Sequence, residues 1–337
     1  MSFDDDLHTL VVGREAMACR FEVVFNVGEV PGDTDLAIEA LDLVEEIEGR
    51  LSIYRDTSEL AVLNATATAD WQPVSQDLFA LLARARELHV RTAGGFDVAA
   101  GSLVKAWGFL RRQGRTPAAE ELAAAVAAAG MRWVELDPRG RRVRFTRPGV
   151  EINPGAIGKG WAIDRAIERL VAAGVPSVLV HGGASSVRCH GAQGRAVGSH
   201  RGWRVGMRHP MRPGQRLATV ALRDRALGTS GSGTQFFIDR GRRLGHILDP
   251  RTGFPAEGVL SATVIAPSAA DADALSTAAY VLGPAGLPRI APPGGEAAAL
   301  LVLPGTGAGT VRLQVANLPL DEIELATAEG VEIESPT

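Results

Sequence analysis

The spacing of apolar positions along this chain changes period several times, and each change predicts an element. Residues 10–27 read as a strand, with RFEVVFNV alternating as a half-buried strand does and Met17 on the approach to it. A turn at Pro31-Gly32-Asp33 precedes a helix whose Leu36, Ala40, Leu41, Val44, Ile47 and Leu51 share one stripe. Tyr54 follows on a loop, where a tyrosine either packs half-buried or stacks on a planar ring. Ser58 stands where it would cap a short second helix. Residues 76–92 predict another helix, ended by Gly94-Gly95, after which FDVAAGSLVKAWGF is an apolar segment broken by Asp97 and Lys105. Residues 117–130 predict a peripheral alanine-rich helix, and 133–136 with 142–145 a hairpin around Asp137-Pro138-Arg139-Gly140.

The second half is richer in strands. Residues 151–187 read as loop, helix and strand, the one stretch with the look of an αβ crossover. Residues 203–207, 217–222 and 235–238 predict successive antiparallel strands, with ALGTSGSG between the last two as a flexible loop whose hydroxyls suit a phosphate. Residues 260–266 form an apolar strand leading to a helix that Asp273 and Thr277 open. Residues 297–303 and 310–315 predict a closing hairpin, and the acidic end DEIELATAEGVEIESPT adds one strand before fraying. The expected class is α+β, with antiparallel sheets wrapped by helices.

At 337 residues one large domain or two closely packed ones fit. Net charge is −4, and no Lys/Arg run has aromatics interleaved, so nucleic acid is excluded as an expected partner. No apolar run is long enough to span a bilayer, and MSFDDDLHTL has no signal-peptide pattern, although a removed leader would leave no trace. Cys19 and Cys189 form no motif, which makes a reducing cytoplasm the expected location. Only Lys105 and Lys159 of the 35 basic residues are lysines. A lysine kept in so arginine-rich a chain marks either chance survival or a need for a compact ammonium.

Residues 245–277 concentrate the candidate chemistry. His246, Asp249, Arg251 and Thr252 crowd into one turn, and Asp273 and Thr277 stand one helical turn apart on a common face. A carboxylate and a hydroxyl so spaced suit a hard cation such as Mg²⁺. An N-cap and a threonine bonded back to its own helix explain the same spacing. Asp271 adds a second acid at the helix start. Gly155, Gly158 and Gly160 around Lys159 let a backbone approach an anion just before a helix N-terminus, or form a plain tight turn. This is neither a Walker A loop nor a GxGxxG fingerprint. His181, His190, His200 and His209 have no metal-ligand spacing and read as structural or exposed.

Taken together, Met17, LSIYRDTSELAVLN, GGFDVAAGSLVKAWGF, INPGAIGKGWAID, the GG of VHGGASS, GTSGSG, HILDPRTG and DADALSTAAYVLG resemble the FAD:protein FMN transferase family over about residues 10–285. The specific pair is HILDPRTG followed by the DALST helix. The resemblance implies a Mg²⁺-dependent enzyme that moves FMN from FAD to a Ser or Thr of a target flavoprotein and releases AMP. It implies a single catalytic domain across 1–337, built of two closely packed lobes with FAD in a cleft between them. Asp273 and Thr277 match the family's metal ligands, with the carbonyl of Ala156 completing the set. Met17, Tyr54, Gly95, Phe96, Asp97, Asn153, Lys159, His246 and Ile247 match positions lining FAD. His246 is then the candidate base for the acceptor hydroxyl, with Asp273 beside it in catalysis.

Departures from the family pattern are Asn153 for Asp, Ala99 for Thr, Ser102 for Pro, Trp161 for Tyr, and TSGSGTQFF for TSG-acidic-Tyr. Asn153 removes a charge beside the flavin and Ala99 a hydroxyl, but the metal set and His246 are intact. The alternatives are an FAD pyrophosphatase giving FMN and AMP, with water in place of the acceptor, and a non-catalytic FAD carrier. A carrier has no need to polarise a diphosphate.

Overall fold

In the computed structural model, which describes residues 8–111, 113–194, 202–212, 214–231, 233, 235–327 and 329–334, the chain is organised on one nine-stranded sheet. Its strands are β1 (Thr9–Ala16), β2 (Cys19–Asn26), β3 (Val178–Gly182), β4 (Ser186–His190), β5 (Ala226–Gly231), β6 (Ser261–Ala266), β7 (Ala298–Pro304), β8 (Val311–Ala316) and β9 (Val331–Glu334). They lie side by side in chain order, every neighbouring pair antiparallel except the last, which is parallel. The expected α+β class with antiparallel sheets and helices is what the chain adopts.

Both faces of the sheet are covered, which is why a strand such as β7, AALLVLP, reads as an unbroken apolar run. Val178 and Val180 of β3 and Ala299, Leu301 and Leu303 of β7 face the helices. Leu179, Leu300 and Val302, one residue out of phase, face a small sheet of Trp203–Arg208, Arg216–Leu222 and Ile323–Leu325. The helical layer includes α1 (Asp33–Leu51), α2 (Glu59–Thr66), α3 (Gln76–Arg91), α4 (Gly101–Ala106), α5 (Ala119–Ala128), α6 (Gly158–Ala172) and α7 (Ala269–Leu282). The α1 stripe buries Ala40, Leu41, Val44, Ile47 and Leu51, and Ser58 caps α2 by accepting from the Ala61 amide at 3.0 Å. None of the described helices is long and apolar enough to cross a membrane.

Several expectations are corrected. Residues 10–27 are two strands, because Met17 and Ala18 (φ 49° and 58°) make a two-residue turn pairing Ala16 with Cys19. Residues 178–190 are likewise a hairpin, and the supposed crossover places β3 antiparallel to β2. Gln235–Ile238 does not follow residues 217–222 into one sheet: Phe236–Asp239 pairs with Arg242–Gly245 on its own. Residues 226–231, expected as a loop, are β5 at the heart of the main sheet, while Ser232 and Thr234 lie outside the described residues. The acidic end contributes two strands, one to each sheet. Helix α7 starts four residues before Asp273, where Ser268 caps it by accepting from the Asp271 amide at 3.1 Å, so Asp273 is no N-cap. Asp271 pairs with Arg84.

Candidate active site

One cavity of about 580 Å³ is lined by all twelve residues singled out from the sequence, a size typical of ligand sites. They arrive on several separate supports. Met17 sits in the positive-φ turn of the β1–β2 hairpin, and Tyr54 follows α1 with 70% of its surface exposed, so its ring faces stay free. Gly95, Phe96 and Asp97 follow α3; a Cβ on Gly95 would stand 2.7 Å from Leu282. The Asp97 carboxylate is turned inward, accepting from the Ala99 and Met131 amides at 2.8 and 3.0 Å and lying 3.1 Å from His89 Nδ1. Asn153 accepts from the Gly155 amide at 2.9 Å, holding the turn that presents Ala156, and Lys159 stands in the first turn of α6.

His246 and Ile247 enter from the turn that follows Arg242–Gly245. Asp249 builds that turn, accepting from the Arg251 amide at 2.9 Å and pairing with its guanidinium. The Trp107 indole pins it by donating to the Gly253 carbonyl at 2.8 Å. His246 Nδ1 lies 3.1 Å from the Gln235 carbonyl. A carbonyl oxygen only accepts, so Nδ1 carries the proton and Nε2 is left with a lone pair. Burial holds the His246 pKa below the ordinary histidine value, with the Lys159 charge adding to the effect. Of the other histidines, His181 meets Glu22 and His190 meets Asp224, each at 2.9 Å, and His209 is buried. His200 lies outside the described residues.

Asp273 is almost wholly buried and accepts from the Gly160 amide at 2.9 Å. Burial pushes its pKa up to about 6, against the lowering effect of Lys159 and of hydrogen bonds from Ser186 and Gly160. The contact is one half of a reciprocal cap that the sequence reading missed. Asp164, on α6, accepts from the first amides of α7, Ala269 at 2.8 Å and Ala270 at 2.9 Å, and from Arg188 at 2.7 Å. Each helix thus supplies a carboxylate to the other's first turn, Asp273 taking one amide of α6 and Asp164 two of α7. Asp164 is the fourth residue after Gly160, and nothing local distinguishes it from any helical acid.

The backbones must touch for this to work. A Cβ on Gly160 would lie 2.1 Å from the Ala269 carbonyl, and one on Gly228 of β5 2.5 Å from Ala272 of α7. This close approach explains why the glycine-bearing 226–231 segment is a strand under α7. Thr277 bonds back to the Asp273 carbonyl at 3.1 Å, so the helix-bonded reading of Thr277 holds in this structure. With its proton there, the Thr277 oxygen keeps lone pairs that face Ser230 Oγ, 3.0 Å away, and the cavity.

Among the described residues no three His, Cys, Asp or Glu side chains converge. A cation held here therefore meets one carboxylate together with hydroxyl and carbonyl oxygens, a donor set that suits Mg²⁺ far better than Zn²⁺. The cavity joins that set to an ammonium, Lys159, and a proton acceptor, His246. Such an arrangement can hold a diphosphate and deprotonate a hydroxyl beside it.

Residues 17–301 match the model of the ApbE family. The FAD:protein FMN transferase of Treponema pallidum is 36% identical over 255 residues, covering 73% of this chain and 70% of that protein. The crystal structure of the ApbE protein of Thermotoga maritima superposes with a TM-score of 0.81 at 28% identity, covering 92% of this chain and 97% of that one. The apo flavinyl transferase ApbE of Pseudomonas stutzeri does so with a TM-score of 0.79 at 29% identity, covering 92% and 95%. With its fold, its cavity and these likenesses in agreement, the chain belongs to the ApbE family.

Proposed function

We propose that this chain is an FAD:protein FMN transferase, moving FMN from FAD to a Ser or Thr hydroxyl of an acceptor flavoprotein with release of AMP. The observation that carries the reading is the convergence of His246, Lys159 and the Asp273–Thr277 pair on one cavity. Tyr54 at the rim offers a free ring face for a flavin or adenine. Lys159 and the N-terminal end of α6 hold the diphosphate through charge and free amides. Asp273, Thr277 and the Ala156 carbonyl would hold Mg²⁺, which when bound draws charge from the diphosphate.

The acceptor hydroxyl enters beside His246, whose Nε2 takes the proton as the oxygen bonds to the FMN phosphorus. The bond from that phosphorus to the bridging oxygen breaks, and AMP leaves with its electron pair. The Gln235 carbonyl stabilises the protonated ring at Nδ1. A protein that only carried FAD would have no need to polarise its diphosphate, which favours turnover over carriage. Two free thiols, Cys19 and Cys189, fit the cytoplasmic location expected from the sequence.

The test is to incubate the protein with FAD, with and without Mg²⁺, and follow AMP by chromatography. A candidate acceptor and its Ser/Thr→Ala variant are then added and covalent flavin is read by in-gel fluorescence. Mg²⁺-dependent AMP release and label only on the hydroxyl-bearing acceptor are expected. AMP release that is indifferent to any acceptor would make the protein a pyrophosphatase instead. Absence of both FAD binding and AMP release would end the flavin reading.

A further inference from the structure

Four oxygens form a ring beside the proposed cation ligands. Ser276 Oγ and Thr277 Oγ1 lie 2.9 and 3.1 Å from the Asp273 carbonyl, and Ser230 Oγ, reaching over from β5, lies 2.9 Å from Ser276 Oγ and 3.0 Å from Thr277 Oγ1. These are four contacts at hydrogen-bond distance served by three hydroxyl protons, since a carbonyl brings none. One contact therefore either shares a proton with its neighbour or sets two lone-pair-bearing oxygens face to face. Ser276 is sealed at 1% exposure, whereas Ser230 and Thr277 both line the cavity. The deficit is best relieved on the cavity side, by a positive charge shared between Ser230 and Thr277.

The spacing agrees with this. Adjacent ligands on an octahedral Mg²⁺, with metal–oxygen distances of about 2.1 Å, stand about 3.0 Å apart. Ser230 Oγ and Thr277 Oγ1 are 3.0 Å apart. With the protons of Thr277 on the Asp273 carbonyl and of Ser230 on Ser276, both oxygens turn lone pairs toward one point in the cavity. We propose that Ser230 is a further ligand of the divalent-cation site, binding beside Thr277. This rests on the reading of Asp273 and Thr277 as cation ligands.

The experiment titrates the purified full chain with Mn²⁺, following free Mn²⁺ by electron paramagnetic resonance, so that no turnover is needed. Ser230→Ala is expected to weaken Mn²⁺ binding about 10-fold or more, on the scale of losses at metal sites, with the melting temperature of the metal-free protein little changed. Ser230→Cys keeps the packing while exchanging a hard ligand for a soft one, and is expected to lose Mn²⁺ affinity and gain Cd²⁺ affinity. A structural role alone would not move that preference. If Thr277→Val loses Mn²⁺ while Ser230→Ala and Ser230→Cys bind both metals as the wild type does, the assignment of Ser230 is overturned and the Asp273–Thr277 reading stands. If the wild-type chain binds no Mn²⁺, both fall together.

Discussion

The Gly160 amide donates to Asp273 Oδ2 at 2.9 Å across 113 residues of chain. It fixes the carboxylate of the proposed cation site to the start of α6, the same helix end that carries Lys159. The proposed diphosphate-binding loop and the proposed cation ligands are therefore tied to each other directly. Gly160→Ala would drive a Cβ into the Ala269 carbonyl, a backbone atom that cannot swing aside. The expected loss is about 1–3 kcal/mol or more, read by urea unfolding, together with weakened FAD turnover. An unchanged midpoint would mean that the helices separate at little cost.

Asp164 holds the other half of the reciprocal cap. Asp164→Ala strips two α7 amides and Arg188 of their acceptor inside the protein. Breaking such a buried pair costs about 3–5 kcal/mol. Adding Arg188→Met should recover part of it, because the unpaired charge is then gone. Equal stability of the single and double variants would show that Arg188 finds water when Asp164 is absent.

Asp273→Ala is expected to abolish AMP release while leaving weak FAD binding, measured by chromatography and by flavin fluorescence. Full activity in that variant would refute the metal assignment. The pH dependence carries a sign. Burial raises the Asp273 pKa in the folded protein to about 6, above the usual carboxylate value. The folded chain thus holds this proton more tightly than the unfolded one, a contribution fully present below about pH 4 and lost as pH rises through about 6. Metal-free protein should melt lower at pH 7.5 than at pH 5 on this account, and Asp273→Asn should flatten the difference. Mg²⁺ needs the ionised carboxylate, so it should raise the melting temperature at pH 7.5 far more than at pH 5.

His246→Asn removes the proton acceptor from the cavity. Loss of a positioned base typically costs about 10²–10⁴ in rate, and the expected deficit lies in transfer to the acceptor at saturating FAD. Because burial lowers the His246 pKa and so favours the neutral ring, its part of the transfer rate should fall only below the ordinary histidine range. Transfer by His246→Asn at the wild-type rate would assign the proton to another group.

Much of this protein was legible in its sequence, and the reason is local. The α1 stripe, the Ser58 cap, the hairpin at 134–145 and the strand pair at 298–316 follow from periodicity and turn chemistry within a few residues. The twelve site candidates came from short runs matched to the family the chain resembles, and all of them line a single cavity of the described residues. What periodicity does not carry is which runs meet. A glycine-bearing TSG segment reads locally as a loop. It is a central strand because Gly228 lets α7 lie on it, a contact 44 residues further along the chain. Met17-Ala18 lacks the Asn-Gly signal of a tight hairpin, and tertiary pairing of β1 with β2 imposes the turn. The α6–α7 reciprocal cap and the four-oxygen ring were likewise decided only in three dimensions. Their partners sit on separate elements, and a hydrogen bond between distant residues leaves no period in the chain between them.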